Sequence, residues 1–214
     1  MARERHQPSS EIAGGAQASM ATRWSVGLGD PGGHDAGSCG GVGGRTMAAE
    51  QLSDVLGEFA RTMVTDLPIQ GILDQLVKRT VDIIPVTAAG VTVISLDLEP
   101  RYVAASDPSA MRYEELQSEL NEGPCLAAYH SGKTITVPDL TRDGRYRWFT
   151  PQALAAGLAA VFTFPLNHEH LRFGALDLYR DCPGDLSAES MATAQTLADA
   201  AAAYLINAIG DEPA

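Results

Sequence analysis

The chain has 214 residues and a formal net charge of −12, and its length allows one domain with a tail. Residues 1–46 hold four basic and four acidic side chains, whereas residues 47–214 hold 11 basic and 23 acidic ones and so carry the whole charge. Such an acidic surface repels phosphate backbones and anionic lipids, which argues against nucleic acid or a membrane as a direct partner.

The first 46 residues contain 11 of the 21 glycines and few residues that could form a core. This composition is typical of disordered sequence, so we predict a disordered Gly-rich tail at 1–46. Met47 offers an alternative start, which would leave the tail untranslated. His34 and Cys39 have no second pair of ligands beside them, and no metal site is predicted there.

Two amphipathic helices are predicted next. Apolar residues recur at helical spacing over 52–64 and again over 69–84, which forms one apolar stripe on each helix. Pro68 suits the first turn of the second helix, and Pro85 ends it. Both helices must therefore pack against another element.

The middle of the chain predicts a strand, a turn, a second strand, a polar helix, a short helix and a third strand. These elements lie in order at 88–95, 96–100, 101–106, 107–120, 126–129 and 134–137. The first two strands are rich in β-branched side chains and form a predicted hairpin. Gly123-Pro124 separates the two helices.

The last third of the chain predicts a loop or lid, a short helix, two strands and a long helix. These lie at 139–149, 152–156, 158–166, 171–180 and from Ser187 onward. Ser187 is a favourable N-cap residue. The whole order predicts an α+β fold, in which a central antiparallel sheet of five or six strands has helices on both faces. We expect this domain to span 47–210, with a short tail at 211–214.

Cysteine usage and hydropathy indicate a cytoplasmic location. Cys39, Cys125 and Cys182 are too few and too scattered for a disulfide framework. No apolar stretch approaches the roughly 20 residues that span a bilayer. The N-terminus also lacks the apolar core of a secretory signal.

Three motifs resemble those of GAF domains, the small-molecule sensory fold of signalling proteins. They are N-E-G-P-C at 121–125, I-T-V-P-D-L at 135–140 and the pair F-P-L and G-A-L-D-L-Y within 164–179. More narrowly, the chain is similar to bacterial GAF domains that precede an ANTAR RNA-binding bundle or a GGDEF cyclase domain. The resemblance implies a small-molecule ligand and a homodimer formed through the first and last helices. The output domain that follows such domains in the family would either have been lost or act in trans.

Two ligand signatures of the family are absent from the sequence. The Asn-Lys-Phe-Asp-Glu signature of cyclic-nucleotide GAF domains is missing, since no acidic pair follows Phe149. The Cys-His pair of bilin-binding relatives is also missing, because Cys125 is followed by Leu126. The resemblance therefore leaves the ligand and any cofactor unidentified.

Cys125 and Asp177 are the first two residues of the predicted ligand-binding set. Cys125 follows Pro124 at a helix start, where free N–H groups and the helix dipole stabilise a thiolate. It is either a redox-responsive or ligand-contacting thiol, or a small buried side chain. Asp177 points away from the leucines on either side of it, and it is either a ligand anchor or an internally paired acid.

Five further residues complete this predicted set: Asp139, Tyr146, Trp148, Phe149 and Phe164. The three loop aromatics would either close a pocket over the sheet or anchor the core. Asp139 is either a ligand contact or a turn residue, and Phe164 is either pocket wall or core. No metal ligand is predicted, since the His-x-His pattern at 168–170 fits a solvated turn.

Three functions fit these residues. The first is a sensory module that binds a small molecule or responds to redox state, and the second is a ligand-free dimerisation platform. The third is a free methionine sulfoxide reductase, in which Cys125 attacks sulfur and Cys182 serves as resolving thiol. No His-Asp-Ser arrangement or phosphate loop indicates another chemistry, so we predict a protein without enzymatic activity and without catalytic residues.

Overall fold

The computed structural model describes residues 45–62, 68–94 and 100–210, which form six helices and five strands. In chain order these are α1 (Arg45–Thr62), α2 (Ile69–Ile83), β1 (Ala88–Ile94), β2 (Pro100–Ala105), α3 (Pro108–Leu120), α4 (Pro124–Ser131), β3 (Ile135–Val137), α5 (Phe149–Ala155), β4 (Ala160–His168), β5 (Leu171–Arg180) and α6 (Ala188–Gly210). The predicted order of elements is confirmed. Most of the predicted tail at 1–46, most of the turn at 96–100 and the tail at 211–214 lie outside the described residues.

All five strands form one antiparallel sheet with the order β2-β1-β5-β4-β3. The predicted hairpin is confirmed, since β1 pairs with β2, and β4 and β5 form a second hairpin. In the second hairpin, Glu169 takes a left-handed conformation with φ of 53°. The central strand is β5, so its side chains meet neighbours from both β1 and β4.

The first helical layer consists of α1, α2 and α6, which cover one face of the sheet. Their apolar stripes and the sheet residues of that face form the larger hydrophobic core, in which Ile72 of α2 and Leu197 of α6 are buried. Burying such a side chain contributes roughly 1.5–3 kcal/mol. Phe59 of α1 and Tyr204 of α6 meet edge to face with ring centroids 5.9 Å apart, so the first and last helices lie together.

The second helical layer consists of α3, α4 and α5 on the opposite face. Asp107 caps α3, because its Oδ1 accepts hydrogen bonds from the N–H groups of Ser109 at 2.7 Å and Ala110 at 2.9 Å. Pro124 occupies the first turn of α4, and Gly132 ends that helix at a φ of 66°. These boundaries fix the register of α3 and α4 over the sheet.

Candidate functional site

A set of polar side chains is buried between the sheet and the α3–α4 layer. We call it the polar cluster, and it comprises Thr92, Glu114, Gln117, Cys125, Thr163, Asp177 and Tyr179. Each member is at most 4% exposed. Buried polar groups are costly unless they are hydrogen-bonded, so their concentration here requires an explanation.

Strand alternation brings the sheet members of the cluster together. Asp177 and Tyr179 project from β5 on the face opposite to Leu176 and Leu178, as predicted. In register, Asp177 lies between Gly90 of β1 and Thr163 of β4. The carboxylate therefore sits at the middle of the sheet, under α3 and α4.

Gly90 allows α3 to approach the sheet closely. A Cβ atom at this position would lie 2.9 Å from Cδ and 3.0 Å from Cγ of Glu114, closer than real Cβ contacts allow. Because glycine lacks that atom, the Glu114 side chain can lie over β1. The close approach places the Glu114 carboxyl group in the cluster.

Glu114 and Gln117 link both helices to the sheet by hydrogen bonds. The hydroxyls of Thr92 and Tyr179 donate to Oε2 and Oε1 of Glu114, each at 2.8 Å. Gln117 Nε2 donates to the Tyr179 hydroxyl at 3.2 Å, and Gln117 Oε1 accepts from the Cys125 N–H at 2.8 Å. The network thus joins β1, β5, α3 and the start of α4.

Only one of the two carboxylate oxygens of Asp177 accepts a hydrogen bond in good geometry from a described residue. The Thr163 hydroxyl donates to its Oδ1, whereas its Oδ2 has no hydrogen-bond partner among the described residues. One carboxylate oxygen of Asp177, one of Glu114 and the Cys125 sulfur all lie within 4.8 Å of one another. An acceptor oxygen is therefore buried beside a thiol and a second carboxyl group.

Burial shifts the pKa values of both acids upward. Removal from water raises the pKa of Asp177 from 3.8 to about 6, although the Thr163 hydroxyl and the neighbouring Cys125 thiol limit the rise. Burial also raises the pKa of Glu114 well above its ordinary value, and the charge on Asp177 raises it further. Both acids therefore hold a proton more tightly than ordinary carboxyl groups do.

Of the two alternatives for Cys125, its surroundings favour the small buried side chain over a stabilised thiolate. Its side chain is 2% exposed, and burial raises the pKa of the thiol well above its ordinary value, with Asp177 and Glu114 raising it further. Desolvation and two acidic neighbours thus outweigh the helix start. Cys125 is a neutral thiol near neutral pH.

The predicted aromatic set is divided between the core and the surface. Tyr146 and Phe149 are buried in the core beneath α5, with ring centroids 6.3 Å apart. Trp148 is 58% exposed and stacks against Arg147. Phe164 lies in the core of the opposite sheet face, which matches the second of its two predicted roles, pocket wall or core. Strand alternation separates Phe164 from Thr163.

Of the two predicted roles for Asp139, ligand contact and turn residue, its contacts fit the turn residue. Its Oδ1 accepts hydrogen bonds from the Thr141 N–H at 2.9 Å and the Thr141 hydroxyl at 2.6 Å, and Arg142 pairs with it at 3.2 Å. These hydrogen bonds from Thr141 lower the pKa of Asp139. Of the seven predicted residues, the structure brings only Cys125 and Asp177 into the polar cluster.

Five members of the cluster were missed by sequence reasoning: Thr92, Glu114, Gln117, Thr163 and Tyr179. A signal for two of them was present in α3, whose buried face includes Ala110, Glu114 and Gln117 at spacings of four and three residues. Polar side chains within the buried face of an amphipathic helix indicate an internal polar network.

A surface groove with a volume of about 310 Å³ lies beside the cluster. It is lined by Val103, Met111, Glu114, Glu115, Ser118 and Glu119. Glu114 is thus shared between the groove and the cluster. The groove lies in the range of volumes that small-molecule sites have.

The helix-covered antiparallel sheet places the protein in the α+β class. A family model described as GAF domain matches residues 66–205, so the chain belongs to the GAF domain family. GAF domains are typical of sensory and regulatory modules. No curated protein matches the sequence.

Solved structures with the same fold have little sequence identity to this chain. The GAF domain from Acinetobacter phosphoenolpyruvate-protein phosphotransferase is 12% identical, with 78% of this chain and 98% of that chain covered and a TM-score of 0.62. The corresponding GAF domain from Coxiella burnetii is 15% identical, with 77% and 99% covered and a TM-score of 0.58. Free methionine-R-sulfoxide reductase from Neisseria meningitidis is 12% identical, with 79% and 96% covered and a TM-score of 0.58. These likenesses show the fold. Among the described residues, no helix is long and apolar enough to cross a membrane.

Proposed function

We propose that residues 47–210 form a cytoplasmic sensory module that binds a small molecule over the polar cluster. The observation that carries this proposal is the buried Asp177 carboxylate, whose Oδ2 has no partner among the described residues. A core built only for stability would satisfy or exclude such a group. Perturbed carboxyl groups beside a groove are typical of binding sites.

The chemistry of the cluster favours a ligand with hydrogen-bond donors or a positive charge. Its seven members include two acids and no base, and three glutamates line the adjoining groove. A cationic or amide nitrogen placed near Asp177 Oδ2 would satisfy the free acceptor. Anionic ligands would meet unfavourable charge at the same place.

Signalling would run from the cluster to the helical layer on the other sheet face. Asp177 and Leu178 are neighbours on β5, and Leu178 packs in the core that contains α6. We propose that a ligand shifts this strand against α6. A homodimer formed by α1 and α6 would carry the change to an output protein in trans, such as an ANTAR or GGDEF protein.

A thermal-shift screen of cationic and amide metabolites tests the proposed ligand. The screen is run in excess chelator on wild type, Asp177→Asn and Asp181→Asn, because Asp181 is an exposed acid near the same strand. We expect a compound that raises the Tm of wild type and Asp181→Asn but leaves Asp177→Asn unchanged. Hits that stabilise all three variants equally would place the ligand elsewhere.

The ligand-free dimerisation platform remains the first alternative. A screen without hits, together with a dimer in sedimentation equilibrium, would favour it. The lower-ranked alternative is a free methionine sulfoxide reductase that uses Cys125. The buried neutral thiol opposes this function, and turnover of free methionine sulfoxide with a thiol reductant would establish it.

A further inference from the structure

We propose that Glu114, Cys125 and Asp177 bind a divalent transition metal ion of the zinc and ferrous class. The proposal goes beyond the organic ligand, because it names a second occupant for the same unpartnered oxygen of Asp177. The three ligands come from α3, α4 and β5, which are far apart in the sequence. No metal motif in the sequence indicates such a site, because only the fold brings these side chains together.

The geometry suits a single ion. The three donor atoms lie within 4.8 Å of one another, and the donor atoms of a tetrahedral zinc site are separated by about 3.5 Å. Binding would therefore draw the donor atoms together by up to about 1.3 Å. Each donor is carried by a regular helix or strand, which holds the approach directions constant.

Asp177 gives an independent indication of a cation. Its side chain is fully buried, and its Oδ2 has no partner in hydrogen-bonding geometry among the described residues. The side chains of Cys125, Glu114 and Gln117 lie near enough to limit the rise of its pKa. Buried charges in proteins are paired with an opposite charge or coordinate a metal. The seven members of the polar cluster include no cationic side chain that could take that place.

The donor set selects the class of metal. One thiol with two carboxylates is too soft for calcium or magnesium, which take oxygen ligands alone. Zinc and other borderline divalent ions accept both donor types. Three protein ligands leave a fourth position open, so the site could also present the ion to a small molecule.

Neighbouring hydroxyls would orient the ligands. Thr163 donates to Asp177 Oδ1, while Thr92 and Tyr179 donate to Glu114. Such outer contacts fix the orientation of coordinating carboxylates. Coordination by sulfur requires the thiolate, so binding transfers the thiol proton of Cys125 to solvent along with any proton on Glu114.

Cobalt titration tests the site, because Co²⁺ replaces zinc and a thiolate ligand gives a charge-transfer absorption in the near ultraviolet. The full chain is used with Cys39→Ser and Cys182→Ser, so that Cys125 is the single cysteine. We expect one Co²⁺ per chain with this absorption, and its displacement by Zn²⁺. Replacing Cys125 with Ser should abolish the band, and Asp177→Asn or Glu114→Gln should weaken binding by at least about tenfold.

Two matched controls separate this site from surface binding. Glu189→Gln changes an exposed acid on α6, and the pair His168→Ala/His170→Ala removes the exposed His-x-His pattern. Both should leave the band and the affinity unchanged. Zn²⁺ should also raise the Tm of the wild-type chain but not that of Cys125→Ser, which tests the site without the other cysteine changes.

Absence of the band and of a Zn²⁺-dependent Tm shift in the wild-type chain would overturn the metal site. A band that survives Cys125→Ser would overturn it equally. Neither result bears on the organic ligand, whose screen is run in chelator. The two proposals can therefore fail separately.

Discussion

Asp177 shows how a single side chain links the sheet to the candidate site. Alternation along β5 directs it away from the leucines on either side and into the polar cluster. The Thr163 hydroxyl donates to its Oδ1, whereas its Oδ2 has no partner in hydrogen-bonding geometry among the described residues. The carboxyl group is therefore more stable in its neutral form than it would be in water.

The first prediction concerns the pH dependence of stability. The folded pKa of Asp177 is about 6, against 3.8 ordinarily, so the folded protein binds more protons than the unfolded chain between these values. The stability that this group contributes is full below the unfolded pKa and is lost as the pH rises through the folded pKa. Relative to wild type, Asp177→Asn should therefore gain up to roughly 3 kcal/mol of unfolding free energy between about pH 4 and pH 7.

Urea unfolding in chelator at several pH values measures this difference. Asp143→Asn is the control of opposite sign, because hydrogen bonding from Arg145 lowers the pKa of Asp143. Stability from Asp143 is present above its unfolded pKa and is lost as the pH falls through the folded pKa. A difference between Asp177→Asn and wild type that stays constant with pH would contradict the raised pKa.

Of the seven residues of the polar cluster, two were predicted from the sequence and five were not. The alternation of side chains along a strand predicted the sheet face on which Asp177 lies. The helix break at Gly123-Pro124 predicted that Cys125 lies at the start of a helix. The protonation of Cys125 and Asp177 could not be predicted from the sequence, because the pKa values of the thiol and the carboxyl group depend on neighbours from other helices and strands. The role of Phe164 could not be decided from the sequence, because its sheet face relative to Asp177 depends on the register between β4 and β5.

The packing of α3 on β1 is the element-scale feature on which the site depends. Gly90 is the point of closest approach, and Glu114 occupies the space that a side chain would fill. The Asp107 cap and the left-handed Asn121 at φ of 48° delimit α3. The position of α3 and the glycine at position 90 of β1 together allow Glu114 to reach the polar cluster.

The second prediction is that Gly90→Ala destabilises the fold. The added Cβ would lie 2.9 Å from Glu114 Cδ, so α3 or the Glu114 side chain must move. Such overpacking typically costs about 1–3 kcal/mol. Gly144→Ala is the matched control, since its Cβ would meet no described atom within 4 Å, and its effect should stay within about 0.5 kcal/mol.

Urea unfolding again measures both variants, and a double-mutant cycle identifies the cause. If Glu114 is the obstacle, the free-energy cost of Gly90→Ala should be smaller in a Glu114→Ala background than in wild type. Equal costs in the two backgrounds would show that the strain comes from another contact.

Most elements were predictable because their patterns are local. Helical spacing of apolar residues identified α1, α2 and α6, and β-branched runs identified the hairpin strands. The start of α5 was placed three residues late, since Phe149 begins it. Its first backbone donors are satisfied by a distant residue, as Glu122 Oε1 accepts from the N–H groups of Trp148 at 2.7 Å and Phe149 at 2.9 Å. A cap from so far along the chain leaves no local signal.

For the whole molecule, the net charge of −12 governs association of two copies. The third prediction concerns the proposed homodimer, in which two acidic bodies repel each other. Because salt screens such repulsion over a Debye length of about 10 Å at 0.1 M, the dimer should become tighter as ionic strength rises. Sedimentation equilibrium at low and high salt measures the dissociation constant. Weaker association at high salt would indicate that ion pairs across the interface dominate instead.

The position of β5 has a consequence for synthesis on the ribosome. Translation makes this strand after all four of its companions, yet it is the strand that separates β1 from β4. A nascent chain that has not yet released residues 171–180 therefore holds two strand edges that will pair only with β5, and open edges of this kind recruit other chains. We expect the unfinished polypeptide to need protection by chaperones until β5 leaves the ribosome.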